Sequence, residues 1–199
     1  MNHILYRMCE ERPAHDDVAI ISGKTQLIGR AYSAAPSRGV QIADFYDGLA
    51  RAIAKQGAEL DAAIDAVREA GRISMESLAI TVKAHGLLNT IVMGFIGSAR
   101  SSGSMRNVGH RISFCSKYLH FHAPHGFPIY DSVANNALAA RQNTAPYAVP
   151  KRGSGPTGTY ACFCRRFLGY ANDAHQAALW TPRSVDGELW PYAVIDTLR

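Results

Sequence analysis

Apolar residues recur at the spacing of an α-helix along most of the chain, and this periodicity limits the fold more than any other feature. It predicts amphipathic helices over residues 44–55 and 59–70, each closely followed by a glycine that can end it. Further helices are predicted over residues 74–86, 87–96, 110–122, 131–141, 159–178 and 182–196. The best strand candidate is the short apolar run at 18–21. The sequence therefore predicts a mostly α fold, organised as a single globular domain over 1–199.

The composition is that of an ordinary globular protein, with 47% hydrophobic and 19% charged residues among 199. No apolar run reaches the length of a membrane span, and polar residues interrupt the N-terminus from Arg7 onward, unlike a signal peptide. The four cysteines are too sparse for a disulfide scaffold and are interpreted as reduced thiols. We therefore expect a cytoplasmic protein without a membrane partner.

Positive charge is concentrated in the second half of the chain. Residues 1–99 hold ten basic and eleven acidic side chains, whereas residues 100–199 hold eleven and five. This excess and a pI near 9.1 favour a polyanionic partner, with nucleic acid as the first candidate. A basic surface that serves only solubility is the alternative.

Asp131 is the single acid in the most basic stretch of the chain. Residues 77–172 contain ten Lys and Arg side chains and this one carboxylate. Surrounding positive charge favours the ionised form of an acid. Because a carboxylate in a phosphate-binding surface repels its partner, chemistry explains its presence better than binding does. The alternative is an N-cap for the helix predicted over 131–141, and one residue can serve both roles.

Lys117 lies fourteen residues before Asp131, on the preceding predicted helix. Two helices joined by a short loop can bring such residues to a common cleft. A lysine beside a carboxylate can be an amine nucleophile with a partner acid, or only an ion pair.

The segment as a whole resembles a known catalytic segment. Ser116-Lys117, an aromatic-rich helix and then Pro-Ile-Tyr-Asp-Ser at 128–132 are similar to the catalytic region of helix-hairpin-helix DNA glycosylases. The closest similarity is to the 8-oxoguanine-glycosylase-like branch of bacterial proteins, some of them in phage-defence neighbourhoods. The resemblance implies a helical bundle with a cleft between two lobes. The hairpin and catalytic segment would span 86–142, and C-terminal helices over 159–199 would pack back on it.

The resemblance also implies roles for the two residues. Asp131 would stabilise the sugar cation that forms as the base departs, and Lys117 would attack C1′ in a bifunctional enzyme. Members of the family have a Leu-Pro-Gly-apolar-Gly hairpin closely followed by the lysine. This chain has Arg-Asn-Val-Gly-His at 106–110, and its spacing from lysine to aspartate is shorter than usual.

The chemistry is consistent with these residues. Glycosidic bond cleavage builds positive charge on the sugar, which a carboxylate stabilises, and the same group can activate water. A base must also be flipped into a pocket. Aromatic candidates for this pocket are Tyr118, Phe121, Tyr130 and Trp180, with Phe127 nearby; core packing is the alternative for each.

Several further side chains are candidates for contacts with DNA. They comprise the hairpin-like Arg106, Gly109, His110 and Arg111, the loop residues Lys151 and Arg152, and the helical Arg165 and Arg166, for which solvated faces are the alternative. The histidines crowded into 110–125 lack the spacing of a zinc site, and no CxxC or HExxH motif is present. We expect neither a metal nor another cofactor.

The sequence therefore predicts a monomeric DNA N-glycosylase, a hydrolase with an abasic-site lyase step in the bifunctional case. It would excise a damaged or modified base from duplex DNA in bacterial repair or antiviral defence. The alternative is a non-catalytic DNA-binding module that senses modified DNA. The sequence does not decide whether the excised base is 8-oxoguanine, an alkylated base or a phage-type modified cytosine.

Overall fold

The computed structural model describes residues 2–32, 34–98, 110–141 and 155–176, together with two short strands at 184–185 and 188–189. These residues form eight helices: α1 Asn2–Glu11, α2 Val18–Ala31, α3 Phe45–Lys55, α4 Gly57–Glu69, α5 Leu78–Ser98, α6 Ile112–His122, α7 Ser132–Arg141 and α8 Gly155–Gln176. Strand β1 (Ser184–Val185) pairs antiparallel with β2 (Glu188–Leu189). The prediction of a mostly α fold is confirmed.

The predicted strand at 18–21 is wrong, because α2 begins there. The Asp17 carboxylate accepts hydrogen bonds from the backbone N–H groups of Ala19 (2.9 Å) and Ile20 (3.2 Å), which caps the helix. Ile21 and Ile28, seven residues apart, then point into the core. A longer window shows the helical period that the four-residue run concealed.

The predicted break at residues 85–86 is also wrong, because α5 runs through it without interruption. Gly86 lies inside this helix where α8 approaches closely. A side-chain carbon at Gly86 would lie 3.2 Å from the Thr157 hydroxyl. The glycine therefore serves the packing of two helices and does not end one of them.

Helix α1 was not predicted from the sequence, and the C-terminal segment was predicted wrongly. In α1, Leu5 and Cys9 are buried four residues apart, a helical spacing that the sequence contains. The predicted helix over 182–196 is wrong at β1 and β2. Asp-Gly at 186–187, between the two strands, is among the strongest sequence signals for a two-residue hairpin loop.

Helix α5 is central, with contacts to α3, α4, α6 and α8. The main hydrophobic core lies around it and α2, α3, α4 and α6. A second cluster, which includes Leu138, Tyr160 and Phe163, joins α5 to α7 and α8. The chain between α6 and α7 passes from the first cluster, at Phe127, to the second, at Tyr130. This path brings Asp131 to the junction of the two.

Within the described residues, α5 is also the one helix long and apolar enough to cross a membrane. The inner helix of a water-soluble protein meets the same criteria of length and composition. Since 44% of its most apolar window is already buried against other helices, this observation carries little weight.

Candidate active site at the start of helix α7

Asp131 is half-buried immediately before α7. Its Oδ1 accepts a hydrogen bond from the backbone N–H of Val133 (2.8 Å) and a longer one from that of Ala134 (3.4 Å). The carboxylate thus caps α7, and the positive end of the helix dipole favours its charge. The capping role that the sequence left open is confirmed, and part of the residue is still accessible to a ligand.

The backbone of residues 127–130, immediately before Asp131, is held by three side chains that we call the Asp131 clamp. His120 Nδ1 donates to the Phe127 carbonyl (2.8 Å), Tyr160 OH donates to the Pro128 carbonyl (2.8 Å), and Ser116 Oγ accepts from the Tyr130 N–H (2.9 Å). All three side chains are buried, at 1% exposure or less. Helices α6 and α8 therefore fix the position from which Asp131 emerges.

Two of the clamp residues are themselves held in place. Because His120 Nδ1 carries the proton that it donates to Phe127, its Nε2 accepts a hydrogen bond from Tyr6 OH (2.7 Å). Burial lowers the pKa of His120 to about 4, so the ring is neutral at pH 7. Tyr160 stacks on His85 with ring centroids 3.8 Å apart. The clamp is thus a rigid, uncharged support.

Replacing Ser116 by alanine tests this support. The Tyr130 N–H would lose its acceptor in a partly buried place, so we expect a loss of about 1–3 kcal/mol in the free energy of unfolding. Urea denaturation measures it. Ser116 Oγ also donates to the Ser113 carbonyl (3.1 Å). Ser98→Ala is the matched control, because Ser98 Oγ donates to the Phe95 carbonyl (3.0 Å), likewise three residues before it, but is exposed. Equal losses in the two variants would show that Ser116 does not hold the segment.

Lys117 lies at the contact between α6 and the end of α2. Its Nζ donates to the Tyr32 carbonyl (3.1 Å) and to Ser113 Oγ (3.2 Å), and the residue is 8% exposed. Tyr32 is the C-cap of α2, and a helix C-terminus attracts a cation. Successive helical positions are about 100° apart, so Ser116 and Lys117 point in different directions. The catalytic role of this amine stays a prediction.

The aromatic candidates fall into two groups. Tyr118, Phe121 and Phe127 belong to the main core, at 0%, 2% and 0% exposure. Core packing, the alternative stated for each, accounts for them. Tyr130 is half-buried beside Asp131 and contacts the edge of Phe163, with ring centroids 5.2 Å apart. It is the described candidate best placed to meet a base, whereas Trp180 lies outside the described residues.

Two of the arginines predicted to contact DNA are engaged within the protein. The Arg111 guanidinium donates to the carbonyls of Pro36 (2.8 Å) and Arg38 (2.6 Å), which fixes the loop before α3. Arg166 is 6% exposed and donates to Asn135 Oδ1 (2.8 Å), so it joins α8 to α7. A side chain as buried as that of Arg166 does not occupy the surface position that a phosphate contact requires.

The other predicted DNA contacts are exposed or not described. Arg165 and His110 are exposed and can meet a polyanion. The remaining four, Arg106, Gly109, Lys151 and Arg152, lie outside the described residues. Within the part of the chain that the structure describes, no three His, Cys, Asp or Glu side chains are grouped to hold a metal ion.

The clamp residues escaped the sequence analysis as functional candidates. Ser116 and His120 lie four residues apart on α6, which places both on one helix face. Their hydrogen-bond partners are backbone groups, an N–H for Ser116 and a carbonyl for His120, and backbone groups have no sequence signature. Tyr160 lies thirty-two residues beyond its partner, Pro128. Comparison of the chain with family models, curated proteins and solved structures finds no match. Any functional assignment therefore rests on the residues and their geometry.

Proposed function

We propose that this protein is a DNA N-glycosylase of helix-hairpin-helix type, which flips out a damaged or modified base and cleaves its glycosidic bond at Asp131. The supporting observation is the fixed placement of this carboxylate by its cap and by the Asp131 clamp. Catalysis by a charged group requires that the group be held before the reaction begins. A helix cap alone does not need three buried side chains behind it.

The Asp131 carboxylate can serve the reaction in two ways. As the base departs, positive charge develops on the deoxyribose, and a carboxylate beneath the sugar stabilises that charge. The same carboxylate can orient the water that attacks C1′. The resemblance of 116–132 to glycosylase segments and the basic surroundings in sequence support the same reaction.

We expect recognition of DNA to use exposed side chains that can contact phosphates. Arg165 and His110 are available on the described surface, and the stretch around Asp131 carries nine more positive than negative side chains over 77–172. Each phosphate contact releases counterions, so binding to duplex DNA is expected to weaken as salt rises.

A lyase step through Lys117 is the bifunctional form of the proposal. We expect wild-type protein with a substrate duplex and borohydride to yield a trapped covalent complex, because an amine bound to C1′ forms a reducible Schiff base. Lys117→Met is expected to abolish trapping but keep base release, since Asp131 remains. Lys83→Met, which removes an exposed lysine of α5, is the control. Trapping that persists in Lys117→Met would assign the amine elsewhere.

The second candidate is a non-catalytic DNA-binding module that senses modified DNA. The two backbone hydrogen bonds to Asp131 favour it, because they explain the residue as a cap without any chemistry. This function predicts salt-sensitive binding without base release, and in Asp131→Asn equal or tighter binding, since a repulsive charge is gone.

One experiment separates the two functions. Duplexes that each carry one damaged or modified base are incubated with the protein, and hot alkali then reveals abasic sites. The glycosylase proposal predicts strand breaks at one of the modified positions in wild type. Tight binding of a duplex with every base still in place would favour the sensor.

A further inference from the structure

A group of buried polar side chains lies on a different face of α6 from the Asp131 clamp. We call it the polar cluster; its members are His15 in the loop before α2, Lys24 on α2, Asp61 on α4, and Tyr118 and His122 on α6. Four of the five are at most 5% exposed, and Asp61 is half-buried. Tyr118 and His122 are four residues apart and so share a helix face. Tyr118 was predicted from the sequence as a candidate for the base pocket, but the cluster as a group was not predicted.

The hydrogen bonds of the cluster determine which ring nitrogens carry protons. His15 Nδ1 faces Asp61 Oδ1, and a carboxylate accepts, so Nδ1 holds the proton and Nε2 offers a lone pair. His122 Nε2 faces Lys24 Nζ at 3.5 Å, and the lysine also donates to the Arg12 carbonyl (2.6 Å). His122 Nε2 is then the acceptor, and Nδ1 holds the proton.

Three polar atoms of this cluster have no hydrogen-bond partner among the described residues. They are His15 Nε2, Tyr118 OH and His122 Nδ1, and each is buried. The ring centroids are 4.7 Å apart for His15 and His122, 5.2 Å for Tyr118 and His122, and 5.6 Å for His15 and Tyr118. Buried polar atoms are nearly always paired with protein or with ordered water. Three such atoms in one small region indicate a shared partner.

We propose that the His15, Tyr118 and His122 side chains together bind one internal water molecule. The water donates one hydrogen to His15 Nε2 and accepts the hydrogen of His122 Nδ1. Tyr118 OH completes the site, because a hydroxyl can donate to the water or accept from it. Three hydrogen bonds are typical for a buried water.

The hydrogen-bonding character of the three atoms excludes the other small ligands. An anion needs donors on every side, whereas His15 Nε2 presents a lone pair. A cation would lie close to Lys24 and would find a donor, not an acceptor, at His122 Nδ1. Burial lowers the pKa of both histidines, which keeps the rings neutral and preserves this pattern.

A crystal structure of the protein grown in sodium bromide tests the proposal. We expect one solvent peak within hydrogen-bonding distance of all three atoms and no anomalous bromide signal there. Direct bonds among the three side chains, or an interior without a peak, would overturn it. A bromide peak at the site would identify an anion and would overturn it as well.

Oxygen-17 relaxation dispersion of the solvent gives a second measurement, since it counts waters held inside a protein in solution. His122→Phe is expected to lose one long-lived water relative to wild type. Tyr160→Phe is the matched control and is expected to lose none, because the Tyr160 hydroxyl bonds directly to the Pro128 carbonyl. An unchanged count in His122→Phe would contradict the site. If this variant does not fold, the crystal of the wild type decides alone.

Discussion

Asp131→Asn is expected to reduce the rate of base release by about 10²–10⁴-fold, the range typical of a lost catalytic acid or base. The substitution removes the charge that stabilises the sugar cation but keeps an oxygen that can accept from the Val133 N–H. Asparagine caps helices about as well as aspartate. Single-turnover excision assays and thermal unfolding together measure the effect: activity should fall while stability is unchanged.

Asp17→Asn is the matched control for this experiment. Asp17 caps α2 with bonds to the second and third residues after it, the same pattern that Asp131 shows at α7. A general effect of removing a capping charge would appear in both variants. We expect full activity in Asp17→Asn, and retained activity in Asp131→Asn would remove the proposed mechanism.

Acid is expected to destabilise the protein strongly between about pH 6.5 and pH 4. Burial lowers the pKa of His85 and His120 to about 4 each, from the ordinary value of 6.5. Below 6.5 the unfolded chain therefore binds protons that the folded protein does not. Folding stability is complete above 6.5 and falls as the pH approaches 4. At pH 5 each histidine should cost roughly 2 kcal/mol, since one pKa unit corresponds to about 1.4 kcal/mol.

Urea denaturation at several pH values measures this loss. His85→Gln removes one titrating group while an amide N–H can still reach the Ile112 carbonyl that His85 now contacts (3.2 Å). This variant is expected to show a shallower dependence on pH than wild type. His110→Gln, at an exposed position, should leave the dependence unchanged. A wild-type stability that does not change from about pH 7 to pH 5 would contradict the neutral, buried state of both histidines.

Local signals predicted the elements that carry the candidate site. The periodicity of residues 110–122 and the Asp-Ser-Val-Ala start at 131 gave α6, α7 and the cap with an accuracy of two residues. These features depend on neighbours within one helical turn, which a single sequence displays. Asp131 was therefore found from charge and capping pattern alone.

Contacts between distant residues escaped the sequence. Gly86 was predicted to end a helix, because the sequence does not show that Thr157 of α8 packs against it. The polar cluster likewise brings together His15 and His122, which are 107 positions apart in the chain. The direction of a side chain is equally hidden: no local pattern places Lys117 Nζ at the Tyr32 carbonyl, at the end of α2. Tertiary packing decides these features, and no local pattern encodes it.

Detection of the free base tests the central claim most directly. Wild-type protein is incubated with a panel of modified duplexes in ¹⁸O-labelled water, and mass spectrometry follows both the released base and the sugar left behind. We expect one modified base in solution and, when water is the nucleophile, ¹⁸O at C1′ of the abasic product, with both products formed about 10²–10⁴-fold more slowly by Asp131→Asn. Tight binding of a modified duplex with no base released by wild type, or equal release by Asp131→Asn, would contradict it.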